Sequence, residues 1–161
     1  HLGSATERTQ TDGRYAVSQT STYLNFERSC EAAFEFYKQA FGTDYAWPIT
    51  RYGAMPAPEG SPGLSPEDQG LVMNIALPIM GGHLLMGSDV PTFTGQTLAE
   101  GNRYSVCLMP DSRGEADGIF GALSAGGQVF QPMHEAFWGD YYGEFKDKFG
   151  ISWMIVCSSK E

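Results

Sequence analysis

The sequence predicts an α+β fold built from two βαβββ modules. Three observations carry that prediction: the order strand, helix, strand, strand, strand can be read twice; a glycine stop follows each helix, at Gly42 and Gly126; and one loop rich in Pro and Gly belongs to the first copy alone.

In the first copy, Tyr23-Leu24-Asn25-Phe26 alternates polar with apolar and predicts a strand. Ser29 is placed to cap a helix over about Cys30 to Phe41, with Phe34, Tyr37 and Phe41 as its buried stripe and Gly42 as its left-handed stop. Tyr45 to Ile49 then reads as a second strand. Residues 53–70 follow, GAMPAPEGSPGLSPEDQG, whose Pro and Gly content argues against regular structure. Leu71 to Leu77 and His83 to Ser88 flank Pro78-Ile79-Met80-Gly81-Gly82, the pattern of a hairpin with a glycine turn.

The second copy opens at Tyr104 to Met109, an alternating strand. Ser112 and Glu115 have capping-box spacing, and Ala116, Ile119, Phe120 and Leu123 give the following helix its core face until Gly126-Gly127 stops it. Gln128 to Glu135, Gly139 to Lys146 and Ile151 to Cys157 supply three more strands. The helix stops Gly42 and Gly126 are further apart than the last-strand residues Met86 and Met154, by close to the length of the 53–70 loop. An internal duplication with one insertion accounts for this. The expected organisation is one domain over residues 20–157, with modules at about 20–90 and 103–157. Residues 1–18, polar and aperiodic, read as a disordered tail or an expression remnant.

Composition narrows the function. Hydrophobic residues make up 42% and charged residues 18%, as in a globular body, and no apolar run is long enough to cross a bilayer. A net charge of -9 argues against a phosphate-backbone partner, so neither nucleic acid nor membrane is expected. Cys30, Cys107 and Cys157 are odd in number and widely spaced, which suits a reducing, cytoplasmic setting better than a disulfide framework or a zinc site.

Five strings stand out: YLNF, CEAAFEFYKQAFG, ALPIMGGHLLMGSD, NRYSVCLMPDSRGEAD and FWGDYYGEFKDKFGISWMI. Together they resemble the PhnB-like branch of the glyoxalase, bleomycin-resistance and dioxygenase (vicinal oxygen chelate) superfamily, over residues 20–157. The resemblance implies curved sheets with a ligand-cradling concave face, and a homodimer. It also implies that metal-using relatives draw four ligands from the first and last strands of each module. Carried onto this chain, those places fall on Ser21 (or Thr22), Met86, Ser105 and Met154. Hydroxyls and thioethers do not hold a divalent ion that demands imidazole or carboxylate, so no metal or other cofactor is expected. Thioethers suit Cu(I), but methionines on core strands more often pack. Relatives in this branch often carry the label demethylubiquinone methyltransferase; no strand, GxGxG, helix motif stands here to support methyl transfer.

The function expected is therefore a metal-independent small-molecule-binding dimer. The alternative is a lyase- or dioxygenase-type enzyme using a non-standard metal site or a carboxylate acid/base. Strand parity sets Tyr23 and Asn25, and Ser105, Cys107 and Met109, on the faces away from the helices. Of these, Tyr23, Asn25 and Ser105, together with Asn74, Met86, Trp138, Tyr142 and Met154, form the expected ligand-binding set. Glu135 is the candidate general base, on condition that it faces inward with Met133 and Gln131. His134 points the other way by the same alternation, and His83 falls on the helix side. Cys30, in the first turn of a helix, is either an activated thiol or a small buried residue.

Overall fold

The computed structural model describes residues 18–161, so the expected tail lies almost wholly outside the described residues. The first module runs β1 (Thr22–Phe26), α1 (Cys30–Phe41), β2 (Thr50–Arg51), β3 (Val72–Pro78) and β4 (Leu84–Asp89); a short helix, α2 (Pro66–Gln69), lies within its long loop. The second runs β5 (Val106–Leu108), α3 (Arg113–Ser124), β6 (Gln128–Glu135), β7 (Tyr141–Lys146) and β8 (Ser152–Cys157). Each module makes a four-stranded mixed sheet, ordered β1-β4-β3-β2 and β5-β8-β7-β6. The first and last strands of each are parallel and the remaining pairs antiparallel, so the two sheets share one topology.

Helix α1 forms because its apolar residues return every three to four positions, burying Ala33, Phe34 and Tyr37. Gly42 ends it at φ 66, a conformation that costs glycine little, and its N–H reaches the Lys38 carbonyl at 2.9 Å. The expected cap at Ser29 is corrected: its side chain makes no capping bond, and the buried Asp89 carboxylate accepts the Cys30 N–H instead, at 3.0 Å. In α3 the Ser112 half of the expected capping box forms, and the return bond from Glu115 goes one residue further out, to Asp111 rather than to Ser112. Ser112 Oγ accepts the Glu115 N–H at 3.1 Å, while the Glu115 carboxylate reaches back to the Asp111 N–H at 3.1 Å.

Three predicted elements change. Residues 45–49 are not a strand, since Pro48 has no N–H to donate; one bond, Ala46 N–H to the Ala76 carbonyl, precedes the two-residue β2. The 53–70 loop is more ordered than its composition suggested. Tyr52–Ala54 makes a 3-10 turn, and Ser65 caps α2 with Pro66 in the first helical position, where a missing N–H costs nothing. Strand β5 spans only Val106–Leu108, an edge strand paired on one side to β8 and followed by Pro110.

Both helices pack on one face of the sheets, and a single core of buried residues spans the two modules, from Leu24 and Ile75 to Trp153 and Ile155. Burial alternates along β1 and β8 accordingly, with Leu24, Phe26, Trp153 and Ile155 turned to the helices. Helix α1 reaches into the second module: Tyr37 and Phe41 meet the Trp153 ring at 5.5 and 5.9 Å. At that junction Asp147, 3% exposed, accepts four hydrogen bonds, from the Tyr37 hydroxyl (2.6 Å), Trp153 Nε1 (2.9 Å), and the Phe149 and Ile151 N–H groups (2.8 and 3.0 Å).

Replacing Asp147 by Ala strands these donors, so urea unfolding is expected to show a loss of at least about 3 kcal/mol. A loss below about 1 kcal/mol would mean that water or a neighbour takes over the acceptor role. Gly87→Ala is expected to destabilise through overpacking by about 1–3 kcal/mol, because a Cβ there would lie 2.7 Å from the Phe34 ring.

Candidate functional site

With the helices covering one side, the other side of each sheet is open. The first sheet presents Tyr23 and Asn25 from β1, both exposed, Met86 from β4 and Asn74 from β3. Tyr23 and Met86 are direct register partners, so they share this face. Ser21, just before β1, donates to Met86 Sδ at 3.5 Å. Asn74 is not left polar in an apolar strand: its Oδ1 accepts the Trp47 indole N–H at 2.8 Å. That contact brings Trp47 to the open face, a residue the predicted strand at 45–49 had hidden.

The second sheet presents Cys107, Met154 and Glu144 in one register row, and Tyr142 and His134 in another. Tyr142 donates its hydroxyl to Glu144. The Trp138 ring meets Tyr142 at 5.6 Å, and His134 meets it edge-on at 6.2 Å. Burial, and then the Glu144 carboxylate, push the Tyr142 hydroxyl up to about 12, so it is a neutral donor at physiological pH.

Glu135 is the main correction. It lies opposite Tyr141 on the helix side, ion-paired with Arg113 at 3.0 Å, with its side chain 65% exposed. Met133 shares that side, since a Cβ on Gly143 would meet both Met133 Sδ and the Phe120 ring. Gln131 instead pairs with Glu144 on the open face. The alternation that grouped Gln131, Met133 and Glu135 is broken by a register shift between Gln131 and His134, around Pro132. The carboxylate that does face the open side is Glu144, which the strand pattern of YYGEFK allowed but did not single out.

His83 sits on the helix side as parity requires, its Nε2 2.8 Å from Thr22 Oγ1. Cys30 is fully buried; desolvation, followed by the Asp89 and Glu31 charges, pushes its thiol far above the ordinary range, so the helix terminus does not activate it.

Where the edge strands β1 and β5 approach each other, a cavity of about 720 Å³ opens. Ser21 and Tyr23 line it from the first module, and Tyr104, Ser105 and Ser152 from the second. A further cavity of about 420 Å³ continues along the same seam, walled by Thr22, His83, Cys107 and Met109. The structure thus brings Ser21, Tyr23, Met86 and Ser105 together at the seam. Trp138 and Tyr142 form a separate aromatic group further across the second sheet, with Met154 between. Asn25 and Asn74 line neither cavity.

The donor set tests the cofactors that the fold family brings to mind. Ser21, Met86, Ser105 and Met154 offer hydroxyl and thioether atoms, which do not fit a divalent cation. Among the described residues no three His, Cys, Asp or Glu side chains gather in a way that could hold a metal. A nucleotide-type methyl donor needs a glycine-rich turn between strand and helix so that the backbone can approach it. The turns from β1 to α1 (27–29) and from β5 to α3 (109–112) contain no glycine, so they do not fit that mode.

Two sheets of this topology, opening away from their helices, define the glyoxalase, bleomycin-resistance and dioxygenase fold. A family enzyme of that description from Burkholderia phytofirmans PsJN superposes with a TM-score of 0.57 at 16% identity, covering 86% of this chain and 98% of its own. Residues 18–156 match the 3-demethylubiquinone-9 3-methyltransferase family, and the chain belongs to that PhnB-like family. Protein PA1353 from Pseudomonas aeruginosa is 30% identical, covers 88% of this chain and 98% of its own, and superposes with a TM-score of 0.73. The PhnB protein of Bacillus cereus is 23% identical over 87% of this chain and 99% of its own, with a TM-score of 0.68.

The Tyr142 to Glu144 contact gives a pH prediction. A negative neighbour raises a phenol pKa, so Glu144→Gln is expected to lower that of Tyr142, while burial keeps it above the ordinary tyrosine value. Ring-labelled tyrosine NMR across an alkaline titration reads this directly. An unchanged midpoint would place the carboxylate away from the hydroxyl.

Proposed function

We propose that this chain is a small-molecule-binding protein that acts as a homodimer and holds its ligand without a divalent metal. The observation that carries the reading is the seam cavity between β1 and β5, lined by rings and hydroxyls from both modules. Tyr23, Tyr104, Ser21, Ser105 and Ser152 offer ring faces and neutral hydrogen-bonding groups, while Glu100 and Arg103 add one charge of each sign, a lining that suits an amphipathic ligand without net charge. Met86, which accepts a bond from Ser21 on the cavity wall, adds a soft, adaptable thioether beside it.

The open faces also favour a partner copy. Tyr104 is 87% exposed and Met109 72%, and both line the seam cavities, so a partner copy set there would cover them and enclose the ligand. No helix of the described residues is long and apolar enough to cross a membrane. Cys30, Cys107 and Cys157 are unpaired, which suits a reducing compartment such as the cytoplasm.

A second reading rests on the Tyr142 to Glu144 pair. On the open face, beside Met154, the carboxylate is positioned to take a proton from a bound ligand, with the phenol as hydrogen-bond donor. Lyase-type proton transfer would then run on this pair rather than on Glu135.

Sedimentation is expected to show a dimer, and protein purified without chelator to carry well under one equivalent of tightly bound divalent metal. In a thermal-shift screen of planar aromatic compounds, at least one is expected to raise Tm by several degrees, and Tyr23→Ala, on the wall of the seam cavity, to abolish the shift while the dimer persists. A monomer with one metal per chain would overturn the proposal. Loss of the dimer in Tyr23→Ala would assign that ring to assembly. Turnover abolished by Glu144→Gln would establish the enzymatic reading.

A further inference from the structure

The 52–70 segment and the 3-10 turn Thr92–Thr94 enclose a cavity of about 590 Å³ that shares no lining residue with the seam between β1 and β5. We propose that this cavity is a second binding site, for a neutral aromatic small molecule. It stands independently of the ligand site proposed above.

The walls favour that ligand class. None of the residues lining the cavity is charged. Two rings form one side: Tyr52 and Phe93 meet edge to face, 5.4 Å between centroids at 89°. Tyr52 is fixed in that pose because its hydroxyl donates to the Asp89 carbonyl at 2.7 Å. Met55, Pro58, Pro62 and Leu64 supply the apolar remainder. A planar ring entering here gains contact with ring edges and proline faces, the geometry aromatic groups prefer. The size falls within the range of sites for small organic molecules, roughly 300–1,000 Å³.

The cavity is also braced, although it lies within a loop. Arg51 grips Glu31 through both guanidinium nitrogens at 2.8 and 2.9 Å and bonds the Gly70 carbonyl at 2.7 Å. Arg28 pairs with Asp68 at 3.0 Å, Ser65 caps α2, and Gln69 Nε2 donates to the Leu64 carbonyl at 2.9 Å. Gly53 lies so close to Gln69 that a Cβ would come within 3.0 Å of its side chain. A loop free to collapse would bury its apolar rim; here Phe93 stays 42% and Met55 48% exposed. Covering that surface is what a ligand would gain. The carboxylates of Glu59 and Glu67 on the same segment, in a chain of net charge -9, disfavour an anion.

The test is a titration of the whole chain, labelled for amide NMR, with 2-naphthol as probe and 2-naphthoate as its anionic counterpart. Saturable shifts are expected at residues 52–64, 69 and 93 with 2-naphthol, and markedly weaker ones with 2-naphthoate. Phe93→Ala is expected to weaken binding about tenfold by removing one ring wall. Ala57→Trp, an exposed position on the cavity wall, is expected to abolish it while the rest of the spectrum remains native. Absence of saturable shifts, shifts confined to β1 and β5, equal binding of the anion, or undiminished binding by either variant would overturn the proposal.

Discussion

Asp147 joins the two modules. Its carboxylate is almost sealed from water, yet it satisfies a tyrosine from the helix of the first module together with an indole and two backbone amides of the second. Low surrounding polarity strengthens those bonds and makes any orphaned donor costly. The aromatic packing of Phe36, Tyr37 and Phe41 against Phe149 and Trp153 is built around this point. With α1 anchored there, the helices occupy one side of both sheets and the opposite sides are left open.

The first module has its own fastener, Asp89. One carboxylate oxygen takes the Cys30 N–H at the start of α1 and the other takes the Val72 N–H at the start of β3, so the end of β4 is tied to both. Burial raises its pKa, opposed by those two backbone bonds. The carbonyl of the same residue receives Tyr52, which links this knot to the wall of the 52–70 cavity. A buried acidic residue at the end of β4 thus helps set the shape of a surface cavity.

Much of this was legible in the sequence. Helices α1 and α3, their glycine stops and the duplicated strand order follow from periodicity, because an amphipathic helix must place its apolar residues on one face wherever it lies. The parity of β1, β5 and β8 was legible for the same reason. What failed was local backbone chemistry. Pro48 removed a donor that a strand at 45–49 would have needed, and the irregularity near Pro132 moved Glu135 and Gln131 to opposite faces. Ser65-Pro66, counted as a loop signal, starts a helix. The Trp47 to Asn74 and Tyr142 to Glu144 contacts bring side chains together across space, a relation that no single strand's pattern encodes.

The Tyr37 to Asp147 bond has a consequence for descent. If the chain arose by copying one module, the ancestral copies were alike, but the present ones are not exchangeable. The hydroxyl that the first half extends finds its acceptor only in the turn of the second; the matching turn of the first half repeats the backbone bonds, Ile79 N–H to the His83 carbonyl as Asp147 N–H to that of Ile151, but carries Ile79 where Asp147 stands and so offers no carboxylate. Drift in either half is therefore constrained by the other, and a split chain would give two fragments, each lacking its mate.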